Sequence, residues 1–579
     1  MAAKKKLSEK NDQVDDCNFP DTIAYLTLVA AIIIVSFIRI RLLSFPLERD
    51  EGEYAYFGQL ILQGIPPYKL AYNLKFPGTY YSYAMIMAVF GQTVQGIRLG
   101  LLFLNIGSLV FLFFLARKLF NGFVASCAVL SFGVLMVSPA IAGQAAHATH
   151  FVTFFMLAGL WFLLKALDNS RMVFYLLSGL LTGFAFLMKQ SGVFFIFSSG
   201  LMIIFRYIMI SPPLVSDSPQ HHTSSPHPSI LHPASRILHP ASRILHPASR
   251  YLTIFIIGSF IPLLTVFILL YTSGVFSKFW FWTVNYPAVY ASRYPLSQAF
   301  SAFSANFPIV YSSFTVLWII AGLGIGTLYF HPAAKLNKLY IWLLLLASVC
   351  TVIPGFYFRN HYFVTVLPVT AILCGIFPDF LSRKIKGSFK QAWIMSLLIM
   401  IFIIITGLNE RKDYYFNERP DDLCSRMLAE NPFSEAIPVA RYIRANSQPV
   451  DRVFVFGSEP EIYFYSGRRA ASGYIYMYDL VFPHKYTQTM QDEMEKEVEA
   501  NHPKFVVFVS SGFSWLAQKA EKEPLIKWMT SYLQNNHYSI TGVADILFPA
   551  ATQYAWDGDA QGYQRKSKNY LLVFRKSDQ

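Results

Sequence analysis

Acidic side chains form a cluster in a part of the sequence that otherwise contains almost none. Residues 1–409 contain 12 Asp and Glu residues, and only Asp168, Asp217 and Asp379 lie between residues 54 and 409. Four acids stand together in LERDEGEY, at residues 47–54. A carboxylate can take a proton from an attacking hydroxyl group, or it can bind a divalent cation. The cluster, with Asp50 and Glu51 at its centre, is therefore a candidate reaction centre.

Helix capping is the alternative explanation for this cluster. Asp50 and Glu53 have the spacing of an N-cap residue and its N3 partner. The segment EGEYAYFGQLILQG then predicts a short amphipathic helix that ends at Gly64 and Pro66. The two explanations are compatible, and a catalytic role is favoured because of the residues that follow.

Cations recur at the predicted outer ends of the apolar segments. Lys75 lies in the same loop as the acids, Lys189 lies in FLMKQSG, and Arg359 stands beside His361 in GFYFRNHYF. A lone cation at a bilayer boundary is usually an interfacial anchor. Several cations around a carboxylate pair would instead suit a lipid phosphate facing an acceptor hydroxyl group. This arrangement favours glycosyl transfer.

Long apolar segments must position these residues. The chain has 579 residues, of which 54% are hydrophobic, and its five cysteines show no disulfide or zinc pattern. We predict an α-helical polytopic membrane protein with about eleven transmembrane helices. The predicted spans are 22–44, 97–116, 122–140, 147–166, 172–188, 192–210, 251–272, 306–329, 339–354, 361–379 and 391–408.

The charge distribution predicts the orientation of these spans. Of the net charge of +14, residues 1–409 carry 28 basic against 12 acidic side chains, and residues 410–579 carry 20 against 22. Short loops that are rich in Lys and Arg stay on the cytoplasmic side of a membrane, so the N terminus is predicted to be cytoplasmic. The cations placed on that side are Lys4, Lys5, Lys6, Lys10, Arg117, Lys118, Lys165, Arg171, Lys335, Lys338, Arg383, Lys384, Lys386 and Lys390. The positive charge is spread over these loops, which excludes a nucleic-acid partner.

Residues 410–579 then form a periplasmic or extracellular tail. Apolar runs beginning at 451, 503 and 569 predict strands, and residues 434–446, 487–501 and 514–533 predict helices, so a small α/β domain is expected. Its segment GSEPEIYFYSGRRAASGY contains Glu459, Glu461, Arg468 and Arg469. A solvated rim is favoured for these four side chains over a sugar-binding or acceptor-binding surface.

A low-complexity loop is predicted at residues 211–250. The heptapeptide ILHPASR occurs there three times in tandem, and a proline in every repeat is expected to prevent a continuous helix. The repeat is interpreted as a solvated cytoplasmic linker. Metal binding by its histidines, His232, His239 and His246, is the less favoured alternative.

Three segments together resemble a known family. They are similar to segments of the GT-C membrane glycosyltransferases. In chain order they are RDEGEYA after the first span, KFPGTYYSYA, and FGQTVQGIRLGLLFLNIGSLVFLFFLARKLF. The branch is the bacterial one (Rgt-like glycosyltransferases) related to protein O-mannosyltransferases and to the lipid A aminoarabinose transferase. The resemblance covers the membrane body and is strongest over residues 45–120.

The resemblance implies an enzyme of the plasma membrane that takes a sugar from a polyprenyl phosphate on the outer side. It implies that Asp50 and Glu51 are catalytic and that Lys75 contacts the donor phosphate. Asp50 is the candidate base, and Glu51 is expected to orient the acceptor or bind a metal. The other candidates are Arg359 and Lys189 for the donor phosphate and His361, Glu53 and Tyr54 for substrate.

The reaction expected from this site is inverting transfer. The acceptor is a hydroxyl group of a lipid, glycan or protein. No cofactor is required by this interpretation, although a divalent metal at Glu51 or Asp50 is left open. The alternative function is a transporter or flippase of lipid-linked sugars. It is less favoured because Asp and Glu are absent from the interiors of the predicted spans.

Overall fold

The computed structural model describes residues 19–210, 233–385, 389–429, 431–516 and 519–577. The N-terminal cations Lys4, Lys5, Lys6 and Lys10, the cation Lys386 and the first part of the predicted loop, residues 211–232, lie outside the described residues. The described part contains 24 α-helices and one six-stranded sheet.

Sixteen of these helices precede residue 411 and form the membrane body. They are α1 (Asp21–Arg41), α2 (Arg49–Leu62), α3 (Gly78–Phe90), α4 (Val94–Leu119), α5 (Gly122–Met136), α6 (Ala148–Asn169), α7 (Met172–Met188), α8 (Val193–Ile210), α9 (Pro233–Thr272), α10 (Phe276–Trp280), α11 (Tyr286–Ala291), α12 (Leu296–Tyr311), α13 (Thr315–Leu328), α14 (Lys335–Cys350), α15 (Leu367–Ser382) and α16 (Phe389–Glu410).

Within the described residues, six helices are long and apolar enough to cross a membrane. They occupy Asp21–Arg41, Val94–Leu119, Ala148–Asn169, Gln190–Met209, Ala248–Thr272 and Gln391–Glu410. Large apolar side chains on these helices, such as Phe37, Phe103 and Phe402, are more than half exposed, as expected of side chains that contact lipid. The protein is therefore a helical membrane protein, while the number of eleven spans stays a prediction.

Two expectations about helix continuity are wrong. The predicted span 306–329 consists of α12 and α13, which are bent by 114° around residues 312–314. At this bend Phe314 adopts a positive φ of 58°, which no helix accommodates. The prolines of the ILHPASR repeat also do not interrupt α9, which runs from Pro233 to Thr272. Extending an existing helix needs no new nucleus, so the helix continues through the repeat although each proline removes one backbone donor and crowds the preceding turn.

The tail combines short helices with a single mixed sheet. Its helices are α17 (Pro420–Met427), α18 (Ala436–Ala445), α19 (Glu461–Ser466), α20 (Tyr478–Val481), α21 (Thr487–Asn501), α22 (Gly512–Trp515), α23 (Lys519–Asn535) and α24 (Gly558–Gln561). The strands are β1 (Arg452–Phe456), β2 (Arg469–Ala470), β3 (Phe505–Ser510), β4 (Tyr538–Asp545), β5 (Gln553–Trp556) and β6 (Tyr570–Lys576).

The strand order is β2-β1-β3-β6-β4-β5, with β1 parallel to both β2 and β3 and with β6 antiparallel to β3 and β4. The parallel pair β1 and β3 is connected through α19, α20 and α21, as a parallel crossover requires. The three predicted strands correspond to β1, β3 and β6. The sequence did not reveal β2, β4 and β5.

Candidate active site

Helix α2 carries the acidic cluster, and its cap differs from the predicted one. The Glu48 side chain accepts a hydrogen bond from the Glu51 amide at 3.0 Å, and the Glu48 amide donates to the Glu51 carboxylate at 3.4 Å. The predicted pair of Asp50 and Glu53 is wrong by two residues because Glu48 is the last extended residue before the helix. Asp50 is consequently not used as a cap.

Asp50 and Glu53 are joined by one lysine. The Lys75 ammonium lies 2.8 Å from Asp50 Oδ1 and 2.7 Å from Glu53 Oε2, and 4.7 Å from the centre of the Tyr54 ring. Tyr80 donates to the other Glu53 oxygen at 2.5 Å. The predicted residues of the first outer loop are thus brought together, with Lys75 between two carboxylates.

The loop that carries Lys75 is fixed by one contact within the loop and by one contact with the segment that follows α7. The Tyr68 hydroxyl donates to the Lys75 carbonyl at 2.6 Å, and the Gln190 amide group donates to the Leu74 carbonyl at 2.8 Å. Gln190 follows Lys189 directly. The contact therefore sets the distance between the two lysines that the sequence places 114 residues apart.

A cavity of about 100 Å³ lies above Asp50 and collects most of the predicted residues. Asp50, Tyr54, Lys75, Lys189, Arg359 and His361 all line it. Glu51 and Glu53 do not. The lining also contains residues that the sequence analysis missed, among them His147, Tyr290, Tyr362 and Tyr478. The pair of histidines in AAHATHF was the one signal that could have indicated His147.

Cations outnumber carboxylates in this cavity. Among the described lining residues, Lys75, Lys189 and Arg359 face a single carboxylate, that of Asp50. The Lys189 ammonium sits 3.5 Å from the centre of the Tyr362 ring. Burial lowers the pKa of Lys189 to about 7, and the charges of Lys75 and Arg359 act in the same direction. A bound anion would relieve this mutual repulsion, so the cavity is suited to a phosphate.

The charge state of Asp50 is set by its cationic neighbours. Burial alone would raise the pKa of Asp50, but the Lys75 ammonium holds that pKa well below its usual range. Burial raises the pKa of Glu48 to about 8, with the charges of Asp50 and Glu51 adding to the effect. At neutral pH Asp50 is therefore the ionised carboxylate of the cavity.

Asp50, His147 and His361 could hold a metal ion. One ligand atom from each lies within 4.8 Å of the others, and the two imidazole rings stack with their centres 4.0 Å apart. His147 Nδ1 is buried and has no hydrogen-bond partner among the described residues. Burial lowers the pKa of His147 to about 4, which keeps the ring neutral and able to act as a ligand. One carboxylate and two imidazoles suit Zn²⁺ or Mn²⁺.

Glu51 lies in a separate, fully buried contact. Both terminal nitrogens of Arg98, on α4, donate hydrogen bonds to the Glu51 carboxylate, one of them to Oε2 at 2.8 Å. The Ala146 amide donates a further hydrogen bond to the same carboxylate. The side chains of Glu51 and Arg98 are 1% and 2% exposed. The geometry gives Glu51 a structural contact between α2, α4 and the segment that leads into α6.

The tail packs directly against α2. Glu459 forms an ion pair with Arg49 at 3.0 Å, and a Cβ atom at Gly52 would lie 2.6 Å from the backbone nitrogen of Glu461. Glu459 and Glu461 are 0% exposed, so the expected solvated rim is wrong for both. The Tyr476 hydroxyl reaches Glu53 Oε2 at 2.9 Å. The tail therefore helps to position the acidic helix.

Comparison with known proteins gives a consistent picture. The model of the dolichyl-phosphate-mannose-protein mannosyltransferase family matches residues 75–220. The structure of ArnT from Cupriavidus metallidurans bound to undecaprenyl phosphate matches with a TM-score of 0.54 and 13% identity, over 95% of this chain and 97% of that one. The chain has the fold of the GT-C glycosyltransferases. The apo form of the same ArnT matches with the same score and identity, over 96% and 98%.

Oligosaccharyltransferase AglB from Archaeoglobus fulgidus, in complex with a peptide and a dolichol-phosphate, matches with a TM-score of 0.49 and 12% identity, over 93% of this chain and 74% of that one. No curated protein matches the sequence. The prediction that the chain is a GT-C glycosyltransferase related to the protein O-mannosyltransferases and ArnT is confirmed by the family match and the fold. The roles of the individual residues stay predictions.

Proposed function

We propose that the chain is an inverting glycosyltransferase that moves a sugar from a polyprenyl-phosphate donor to an acceptor hydroxyl group on the outer side of the plasma membrane. The observation that carries this proposal is that one cavity holds the Asp50 carboxylate together with Lys75, Lys189 and Arg359. A base and a cationic phosphate site are the two requirements of this reaction. ArnT, a protein of similar fold, has been crystallised with bound undecaprenyl phosphate.

The reaction forms one bond and breaks one bond at the anomeric carbon. The acceptor oxygen attacks that carbon while its proton passes to Asp50. The bond from carbon to phosphate oxygen breaks, and the polyprenyl phosphate leaves with the electron pair. Lys75, Lys189 and Arg359 stabilise the charge that the phosphate gains. Attack from the face opposite the leaving group inverts the anomeric configuration.

The donor also activates the base. In the free site Lys75 contacts Asp50 at 2.8 Å and keeps its pKa low, which makes the carboxylate a weak base. A donor phosphate beside Lys75 offers that ammonium a second anion. The Asp50 carboxylate is then less strongly stabilised and accepts the acceptor proton more readily. Proton removal is thereby coupled to the presence of donor.

The proposed topology places the N terminus in the cytoplasm and residues 410–579 outside. Its support is that the basic short loops meet at one end of the bundle. Lys118 forms an ion pair with Asp168, the Asn337 side chain donates to the Leu119 carbonyl at 2.8 Å, and Asn121 donates to Asp379 at 3.2 Å. The division into a membrane domain of residues 1–409 and an outer domain belongs to this proposal.

The function is tested by a transfer assay in membranes that contain a polyprenyl-phosphate sugar labelled in the sugar. The expected result is label on an acceptor, together with release of polyprenyl phosphate, only when the protein is present. Movement of labelled donor across the membrane without release of polyprenyl phosphate would contradict the proposal and indicate the transporter instead.

Donor binding is expected to weaken as pH rises through about 7. Below this value Lys189 is protonated in the free site, and above it the site loses one of its three cations. Between pH 6.5 and pH 8.5 the affinity for undecaprenyl phosphate, measured by tryptophan fluorescence on purified protein, should fall about tenfold. Lys189→Arg keeps its charge and should show no such fall. An equal fall in this variant would contradict the role of Lys189.

Asp50, His147 and His361 are the residues that would bind a divalent cation. Such a cation would stabilise negative charge on an oxygen atom of the substrate. Purified protein is expected to bind about one equivalent of Zn²⁺ or Mn²⁺, as measured by elemental analysis after dialysis. His147→Gln should weaken this binding about tenfold or more. His150→Gln changes a buried histidine one turn away and should retain the metal. Equal metal content in both variants would exclude this site.

A further inference from the structure

A second cavity, of about 800 Å³, lies between the membrane body and the tail. Helix α2, the turn between α3 and α4, and the tail helices α17 to α19 form its walls. Gln59 and Gln63 of α2 line it, whereas Asp50 and Tyr54 line the catalytic cavity. Gln59 lies about half a helical turn around α2 from Asp50. The helix therefore separates the two cavities.

The second cavity carries unpaired positive charge. Arg441 and Arg444 stand three residues apart on α18, so both face the same side, and both line the cavity. Among the described residues, neither guanidinium has a hydrogen-bond or ion-pair partner. Among the described residues of the lining, Asp421 is the one acidic side chain. The charge balance favours an anionic ligand.

The cavity lies beside an exposed apolar surface. Gln92 and Gln95, in the turn between α3 and α4, line the cavity. Next to this turn, the Phe90 ring stacks on Phe103 with their centres 5.5 Å apart, and Phe103 is 57% exposed on the membrane-spanning helix α4. Met85 and Val89 of α3 are 67% and 70% exposed. A polar cationic cavity next to an apolar surface fits an amphiphilic anion.

We propose that this cavity binds the phosphate headgroup of an anionic membrane lipid, whose acyl chains lie against α3 and α4. The guanidinium groups of Arg441 and Arg444 pair with the phosphate, and the side-chain amides of Gln92 and Gln95 bind the polyol oxygens of the headgroup. The lipid would hold the tail against the outer face of the plasma membrane. This proposal does not depend on the transfer reaction, because the cavity is separate from the catalytic one.

The test uses the full chain, purified in detergent and incubated with phosphatidylglycerol or phosphatidylcholine before native mass spectrometry. The expected result is selective retention of phosphatidylglycerol. The double variant Arg441→Gln/Arg444→Gln should weaken that retention about tenfold or more. Arg411→Gln/Lys412→Gln is the matched control, because it removes two exposed cations that follow the membrane-spanning stretch of α16 and do not line the cavity.

Three outcomes would overturn the proposal. The first is equal retention of the two lipids, which would show that the phosphate of an anionic headgroup is not selected. The second is an equal loss in the control variant, which would show a general charge effect. The third is binding of soluble glycerol 3-phosphate as tightly as phosphatidylglycerol, since a membrane lipid would then not be the preferred source of the phosphate.

Discussion

Asp50→Asn is expected to lose about two to four orders of magnitude in transfer rate while the protein stays folded in the membrane. Asparagine has nearly the same shape as aspartate, and its amide oxygen can still accept the hydrogen bond from Lys75 that the carboxylate accepts at 2.8 Å. What the substitution removes is the negative charge and the ability to take a proton. Transfer is measured as release of polyprenyl phosphate from the labelled donor.

Donor binding separates this effect from a general defect. The variant removes the one carboxylate that faces three cations in the cavity, so its affinity for undecaprenyl phosphate should be equal to or higher than that of the wild type. Asp168→Asn is the matched control, because Asp168 lies at the opposite end of the bundle in an exposed pair with Lys118. Normal transfer by Asp50→Asn would show that another group removes the proton.

Sequence patterns predicted the parts of this protein that depend on local properties. Apolar runs predict helices because a chain in lipid must satisfy its backbone hydrogen bonds within each segment. The position of α2 and its end near Gly64, where φ is +78°, followed from the same kind of information. The scarcity of acids made Asp50 conspicuous before any contact was known.

The remaining features depend on contacts between distant segments, which no local pattern reveals. His147 reaches the cavity only because α6 begins beside α2, although 97 residues separate it from Asp50. Burial of Glu461 follows from its close approach to Gly52, and the charges in its segment suggested exposure instead. The sequence likewise gave no means to distinguish Glu51 from Asp50. The structure separates the two residues by the direction in which each side chain leaves α2.

Glu51→Gln is expected to destabilise the protein strongly, because Arg98 would keep a buried charge with no anionic partner. Removing one member of a buried ion pair costs about 3–5 kcal/mol. Arg98→Met should have a similar cost, since it leaves the Glu51 carboxylate buried. Arg117 lies on α4, as Arg98 does, and forms an exposed ion pair with Asp21 of α1. Arg117→Met, which breaks this pair, should cost less than about 1 kcal/mol. The half-life of monodisperse protein on heating in detergent measures all three.

The double variant Glu51→Gln/Arg98→Met decides between a structural and a catalytic role for Glu51. It removes both buried charges together, so it should recover most of the stability that each single variant loses. If Glu51 only fixes α2 against α4, this stabilised protein should also recover transfer, since Asp50 and Lys75 again stand in their places. If Glu51 orients the acceptor or binds a metal, stability would return without activity. The buried contact with Arg98 and the Ala146 amide favours the first result, because it leaves Glu51 no access to the cavity that Asp50 lines.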